Sequence, residues 1–439
     1  MRRRLIAGCL AAGLLSLTGV NAAAQQLDDF ERARVQTMLE VTRTAIASQY
    51  YDSTFRGLDL SARYDTAVAR LRAATDFGGA LAAVAQFALD LHDSHTFFIP
   101  PQRTVRAEYR WDVAMIGDTC YVVSVDAGSD AEKQGVRPGD VVLSVGGFVP
   151  TRENLVQLLY LYRILRPQRT LHATLRAPGA APRTLDLAAT IRESKHIEDL
   201  TGADGGQDIV RLIRDAEKAQ ADMRPEVVEV GDSMLVWRLP TFAVGTSDIE
   251  NVFIRARRKN ALILDLRGNS GGPVRVMNAL LGRLSRDAVT IGIQHERGAR
   301  SPLVANGVGN DAFTGQLTVL VDSRSASASE VSARVVQLTR RGRVIGDRTA
   351  GAVMRARYHG YSIGTQTVVF YGVNVTDADL EMSDGGRLEG VGVVPDELVL
   401  PTAEDMAAGR DPALARALTL AGKSITADDA GGLLARRRH

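Results

Sequence analysis

Twice in this chain a run of apolar residues ends on a turn of small residues, and a helical pattern starts directly after it. Leu262-Ile263-Leu264-Asp265-Leu266-Arg267 runs into Gly268-Asn269-Ser270-Gly271-Gly272, and apolar residues then recur at helical spacing over 272–284. Leu317-Thr318-Val319-Leu320-Val321 runs into Asp322-Ser323-Arg324-Ser325-Ala326-Ser327, and a second helical pattern covers 328–340. An earlier apolar run spans Met234 to Leu239. Strand followed by helix, repeated, restricts this part of the chain to an α/β layer architecture. The core domain so defined covers 227–402.

The other segments make the fold a multidomain α/β (α+β) one. Residues 25–104 read as an N-terminal helical region, with Phe30, Val35, Leu39, Val41 and Ile46 at helical spacing and a second such run from Ala80 to Leu91. From Tyr109 the pattern turns to short strands, among them Cys120-Tyr121-Val122-Val123-Ser124-Val125. Residues 191–226 are Gly- and Asp-rich and then highly charged, and read as a solvated linker. Residues 403–439 read as one helix and a frayed basic tail ending in Arg436-Arg437-Arg438-His439.

Arg2, Arg3 and Arg4 precede an uncharged run from Leu5 to Val20, and Ala22-Ala23-Ala24 offer a cleavage site before Gln25. This is the pattern of a secretory signal peptide over 1–24, and the apolar run is short for a stable membrane span. Lipid attachment at Cys9 fits less well, because most of the apolar stretch follows it. The chain is therefore expected to be exported, to a periplasm or outside the cell. Signal removal leaves Cys120 alone, so no internal disulfide is expected. No cluster of Cys and His has zinc-ligand spacing, and neither a metal nor a cofactor is expected. The formal net charge of +2 argues against a nucleic-acid binder.

The Gly-rich turn suits an oxyanion site, because glycines let backbone N–H groups approach a ligand and a helix N-terminus favours negative charge. Gly268-Asn269-Ser270-Gly271-Gly272-Pro273 also mimics the nucleophile motif of trypsin-like proteases, which makes Ser270 one candidate nucleophile. Ser327 is the other: a serine at a strand-to-helix junction exposes its hydroxyl, and the next N–H can stabilise an oxyanion. Taken alone, Ser327-Ala328-Ser329-Glu330 reads as a capping box rather than a nucleophile.

Taken together the segments resemble the C-terminal processing peptidases. The resemblance is carried by Asp265-Leu266-Arg267-x-Asn269-x-Gly271-Gly272, Ser325-Ala326-Ser327-Ala328-Ser329-Glu330, Gly346-Asp347-Arg348-Thr349-Ala350-Gly351 and Leu388-Glu389-Gly390-Val391-Gly392-Val393-Val394-Pro395-Asp396. Ala131 to Gly147 resembles the signature of a PDZ domain of the bacterial protease type, giving a PDZ domain over 105–190 with its second helix at 152–164. The resemblance implies a core of the ClpP/crotonase-like type, Ser327 as nucleophile, and the N–H groups of Ala328 and Gly271 or Gly272 as oxyanion donors. It also implies polypeptide substrates, with the PDZ domain binding an extended peptide or C-terminus.

One departure bears on mechanism. The serine–lysine members carry their base lysine where this chain has Ala352, and no lysine lies between Lys259 and Lys423. Leu91-His92-Asp93-Ser94-His95-Thr96 resembles instead the histidine element of the tricorn-core branch. That resemblance implies His95 as general base, with Ser94 and Glu389 completing a tetrad. His92 and His359 are the competing histidines. The expected activity is that of an exported serine endopeptidase. The alternatives are an inactive peptide- or ligand-binding pseudoenzyme of the same fold, and a trypsin-like PDZ protease using Ser270.

Overall fold

The computed structural model describes residues 27–102, 105–193, 223–364 and 368–435. The expected signal peptide, Cys9, most of the expected linker and the basic tail from Arg436 lie outside them.

Three N-terminal helices come first: α1 (Asp29–Gln49), α2 (Leu60–Ala73) and α3 (Phe77–Leu89). Each starts on an aspartate, Asp28, Asp59 or Asp76, whose carboxylate accepts first-turn N–H groups that have no partner inside the helix. A short strand, β1 (Phe97–Ile99), follows them.

The next part holds β2 (Val105–Glu108), β3 (Trp111–Ile116), β4 (Thr119–Val125), α4 (Asp130–Lys133), β5 (Val141–Val145), α5 (Leu155–Tyr160), β6 (Thr170–Arg176), β7 (Arg183–Ala188) and β8 (Thr190–Glu193). Strands β3 to β7 form an antiparallel sheet in sequence order around a core of their own, including Trp111, Val122, Val136, Leu158 and Leu175. Strands β2 and β8 pair with each other where the chain runs in and out. Arg152 ties this unit to the core domain by hydrogen bonds to the Asp347 carboxylate (2.7 Å) and the Arg348 carbonyl (3.0 Å).

The core domain is built on a six-stranded sheet. Its strands are β9 (Glu226–Val230), β10 (Met234–Arg238), β11 (Ala261–Asp265), β14 (Gln316–Val321), β15 (Arg343–Gly346) and β18 (Glu397–Leu398). The order is β18-β15-β14-β11-β10-β9, parallel throughout except for β9. Alternate side chains serve opposite faces. Leu235, Trp237, Leu262, Leu264, Val319 and Val321 pack against α6 (Thr246–Ala256), α7 (Val274–Arg283) and α8 (Ala328–Leu338). Val236, Ile263, Leu320 and Ile345 pack under the C-terminal helices through Leu414 and Leu418. Both faces are covered, which is why β11 is an unbroken buried run rather than an alternating one.

The C-terminal segment differs from the single helix expected. It forms α9 (Ala403–Ala408), α10 (Pro412–Leu420) and α11 (Ala427–Ala435). Gly409 closes α9 in the left-handed conformation (φ 68°), and Pro412, which lacks an N–H to give, opens α10 behind the Asp411 cap.

A second, antiparallel sheet brings the N-terminal region to the core. It contains β12 (Val289–Glu296), β13 (Ala299–Ala305), β16 (Arg355–Ile363) and the long β17 (Val369–Met382). Strand β1 pairs with β17, with Phe98 opposite Val373. Tyr371, Val373 and Val375 of β17 bury themselves under the N-terminal helices. The loop before β1, which carries Ser94 and His95, is thereby held against the core domain.

Candidate active site

Three turns meet at the carboxyl ends of the parallel strands, where α/β sheets place their ligands. They follow β11, β14 and β15, and hydrogen bonds lace them together. Ser325 Oγ donates to the Leu266 carbonyl (2.8 Å), and Ala326 N–H and Ser329 Oγ both donate to the Asn269 carbonyl (2.9 Å each). Gly268 N–H donates to Asp322 Oδ1 (2.8 Å). The serines flanking Ser327 are thus consumed in joining the first turn to the second.

Ser327 itself has φ 56° and ψ −120°, a backbone state that costs a non-glycine residue about 1–3 kcal/mol. Neighbouring groups hold it there. Its N–H lies 2.7 Å from the Ala352 carbonyl and 3.1 Å from Glu330 Oε2. Glu330 is fully buried and also accepts from Thr349 Oγ1 (2.5 Å), Gly351 N–H (2.7 Å) and Ala352 N–H (2.8 Å). Burial pushes its carboxyl up to about 7, against the pull of those donors. The capping-box pattern in the sequence signals this glutamate, but its reach to the third turn is not a local feature.

Gly271 and Gly272 are required by geometry. Gly271 has φ 98°, and a methyl group there would stand 2.6 Å from Ser327 Cβ. At Gly272 (φ 148°) it would meet the Phe242 backbone at 2.7 Å. The Gly271 N–H already donates to Asn269 Oδ1 (2.8 Å), which removes it as an oxyanion donor. Among the described residues, the N–H groups of Gly272 and Ala328 have no acceptor.

A cleft of about 400 Å³ opens over these turns. His95, Ser270, Gly272, Ser327 and Ala328 line it, with Met277, Leu303, Val331 and Val353 forming an apolar wall. His95 and Ser327, 232 positions apart in sequence, thus share one cavity. His92 and His359 do not line it. His92 is exposed on a residue of positive φ, and His359 lies on β16.

The ring of His95 is held from behind. Its Nδ1 lies 2.6 Å from Ser94 Oγ, and that hydroxyl donates to Glu389 Oε2 (2.9 Å). A hydroxyl has one proton to give, so Ser94 accepts from Nδ1–H, and Nε2 keeps its lone pair. Glu389 is fixed by the N–H groups of Ser94 and Val353 (2.8 Å each). Desolvation lowers the pKa of His95, while Glu389 and Asp93 oppose it, and the net shift is downward. Asp93 has a role the sequence pattern leaves unassigned. Its Oδ1 accepts from His95 N–H (2.9 Å), Thr96 N–H (2.7 Å) and Thr376 Oγ1 (2.8 Å), which pins the histidine loop to β17.

No described lysine replaces the missing one. Lys259 lies before β11, at the opposite end of the strand from the Gly-rich turn, and pairs with Glu229 (2.9 Å). Lys423 follows α10, whose last residue bonds to Gln316 at the start of β14. The trypsin-like alternative fails on the fold: the Gly-rich turn joins a parallel strand to a helix and belongs to no β-barrel. Ser270 is an exposed residue of that turn.

Comparison with known proteins agrees with this architecture. Residues 234–399 match the sequence model of peptidase family S41. The chain is 26% identical over 312 residues to the tail-specific protease of Haemophilus influenzae, covering 66% of this chain and 41% of that one. It is 30% identical over 302 residues to the chloroplastic C-terminal processing peptidase of Tetradesmus obliquus, covering 65% and 59%. The matches therefore span between two-fifths and three-fifths of these relatives' length. In three dimensions the chain is similar to mature CPAF complexed with lactacystin, with a TM-score of 0.63 at 15% identity over 93% of this chain and 99% of that one. The fold is thus that of an S41-type α/β peptidase domain. Residues 234–399 thus match peptidase family S41, and about two thirds of the chain is similar in sequence to C-terminal processing peptidases.

Proposed function

We propose that this chain is an exported serine endopeptidase that cleaves unfolded or tail-exposed proteins through an acyl-enzyme at Ser327, with His95 as general base. One observation carries the reading above the rest. The Glu389–Ser94–His95 hydrogen-bond chain leads into the same cleft as Ser327, whose backbone is held in a strained state beside two free N–H groups.

The chemistry follows from those groups. His95 Nε2 takes the Ser327 proton as Oγ attacks the scissile carbonyl carbon. The carbonyl oxygen becomes an oxyanion and is stabilised by the N–H groups of Gly272 and Ala328. Glu389, acting through Ser94, stabilises the imidazolium, which then gives its proton to the leaving amine. Water attacks the acyl-enzyme by the same route and restores Ser327. A neutral imidazole at neutral pH, favoured by the downward shift at His95, is the form this cycle needs.

The antiparallel unit over 105–190 supports assignment as the PDZ domain, which would take an extended peptide by strand addition and present it to the cleft. Residues 1–24 are assigned as the signal for export. Labelling with a fluorophosphonate tests the whole reading. Ser327 should be modified, Ser327→Ala should abolish the label, and His95→Ala should slow it strongly. A folded chain that takes no label is a binding protein rather than a peptidase.

A further inference from the structure

One face of the second sheet continues outward from the cleft. Residues directly opposed across paired strands share a face. Tyr358 opposes Asn374, Gly360 opposes Gly372 and Ser362 opposes Phe370, while on the other side of β17 Phe97 opposes Asn374 and Ile99 opposes Gly372. Phe97, Ile99, Tyr358 and Phe370 therefore lie on one side of three adjacent strands, around the glycine pair. The opposite side, with Tyr371, Val373 and Val375, is buried under the N-terminal helices.

The glycine pair is occupied by an aromatic ring. A methyl group at Gly372 would stand 2.4 Å from Tyr358 Cε2, and one at Gly360 would stand 3.1 Å from the Tyr358 hydroxyl. The ring of Tyr358 thus lies across both glycines, yet Tyr358 is 62% exposed and Phe370 73% exposed. Uncovered aromatic surface of this kind marks an interaction site.

Two features identify what covers it. The face is continuous with the cleft, since Arg355, Ala356, Asn374 and Ala378 of the same two strands line that cavity. Strand β16 is also an edge: among the described residues it pairs with β17 alone. Its outer row of backbone groups can accept another strand, and a strand added there is aimed along β16 toward Arg355 and the cleft. Beyond Arg355 at the cleft end, the Phe97, Ile99, Tyr358, Ser362, Phe370 and Asn374 side chains on this face carry no charge, so it selects an apolar segment.

We propose that this face is the docking surface for an extended apolar segment of the polypeptide substrate, added along β16 with its side chains against Tyr358 and Phe370. The proposal rests on the peptidase reading above.

Binding is measured apart from catalysis, on the Ser327→Ala chain, by fluorescence anisotropy with fluorescein-labelled, reduced and carboxymethylated α-lactalbumin, a permanently unfolded polypeptide. Tyr358→Ser with Phe370→Ser raises Kd by about 10-fold, the scale of one lost aromatic contact. Tyr358→Phe with Phe370→Tyr preserves the surface and leaves Kd within about 2-fold. The single Phe370→Ser change, at the more exposed position, must weaken binding on its own. A Kd unchanged in the serine variants overturns the proposal. So does a solution dimer, seen by sedimentation, that the serine variants dissolve without change in Kd, because the face then belongs to a second copy of the chain. Failure of the peptidase reading shows separately, as a Ser327-intact chain that takes no fluorophosphonate.

Discussion

Glu389 accepts both hydrogen-bond donors of Ser94, the backbone N–H at 2.8 Å and the hydroxyl at 2.9 Å, across 295 positions of sequence. The bond to the hydroxyl sets the direction of the bond to His95, and so selects which ring nitrogen is free to take a proton. Each Glu389 oxygen faces a backbone N–H, Oε1 that of Ser94 and Oε2 that of Val353. A side-chain amide cannot replace this carboxylate without setting its NH2 group against a donor.

The first prediction follows. Ser94→Ala removes the partner of Nδ1, and Glu389→Gln turns the chain of bonds toward the wrong tautomer. Each should lower kcat/KM for a short activated ester by about 10²- to 10⁴-fold, the range for a positioned general base. The double variant should be little worse than the more damaged single one, because the groups act as a unit. Fully additive losses, measured on purified folded chains, would remove the bridge from the mechanism.

The pH dependence separates His95 from the other unusual titrating group. With its pKa shifted down, His95 should place the acid limb of kcat/KM below the ordinary imidazole value of about 6.5. Glu330 titrates near 7, but a proton on it can be donated to Thr349 Oγ1, its partner at 2.5 Å, and its other three donors keep their acceptor. The turn therefore survives that protonation. A limb centred at 7 or above in the wild-type chain would assign control of activity to Glu330 instead.

Glu330 should show itself in stability. Its carboxyl holds a proton more tightly when folded, at about 7 against 4.5 for the free group. That contribution to stability is complete below about pH 4.5 and is lost as pH rises through about 7, which amounts to about 3 kcal/mol. Glu330→Gln has no such dependence. The stability advantage of wild type over the variant should therefore shrink as pH rises from 5 to 8. Urea unfolding of both chains at the two pH values measures it, and a constant difference would mean that Glu330 is ionised throughout.

The parts of this site differ in how far sequence alone reveals them. The junctions at Gly268–Gly272 and Ser325–Ser327 are legible because strand, turn and helix follow one another within a few residues. Ser94 and His95 are neighbours in the chain, but Glu389 lies 295 positions from Ser94, and only the family resemblance draws the three together. Glu330 looks like a helix cap because its neighbour at Ser327 is local, while its bonds to Thr349, Gly351 and Ala352 depend on the packing of β14 against β15. Asp93 gives a weaker signal still, as its partner Thr376 comes from β17. The second sheet is poorly marked, because β16 alternates arginine, tyrosine and glycine in a way that is equally compatible with a loop. Gly409 and Pro412 separate the first two C-terminal helices, and both marks are easily overlooked because alanine-rich, helix-favouring segments flank them on either side.

The last prediction compares neighbours within one turn. Ser270 is exposed and no hydrogen bond of the turn depends on its side chain, so Ser270→Ala should cost less than about 0.5 kcal/mol and leave the fluorophosphonate label on Ser327. Asn269 is fully buried, donates to the Leu239 carbonyl (2.7 Å) and accepts the Gly271 N–H (2.8 Å). Asn269→Ala leaves both groups unpaired, at about 1–3 kcal/mol for each, and frees the Gly271 N–H to compete for the oxyanion. Gly271→Ala adds strain at φ 98° and drives a methyl group to within 2.6 Å of Ser327 Cβ. Its damage should therefore fall on kcat and on labelling as well as on stability, with a stability loss of about 1–3 kcal/mol. Thermal unfolding and labelling rates of the three variants check the ordering. If Ser270→Ala proves as inactive as Gly271→Ala, the nucleophile has been assigned to the wrong turn.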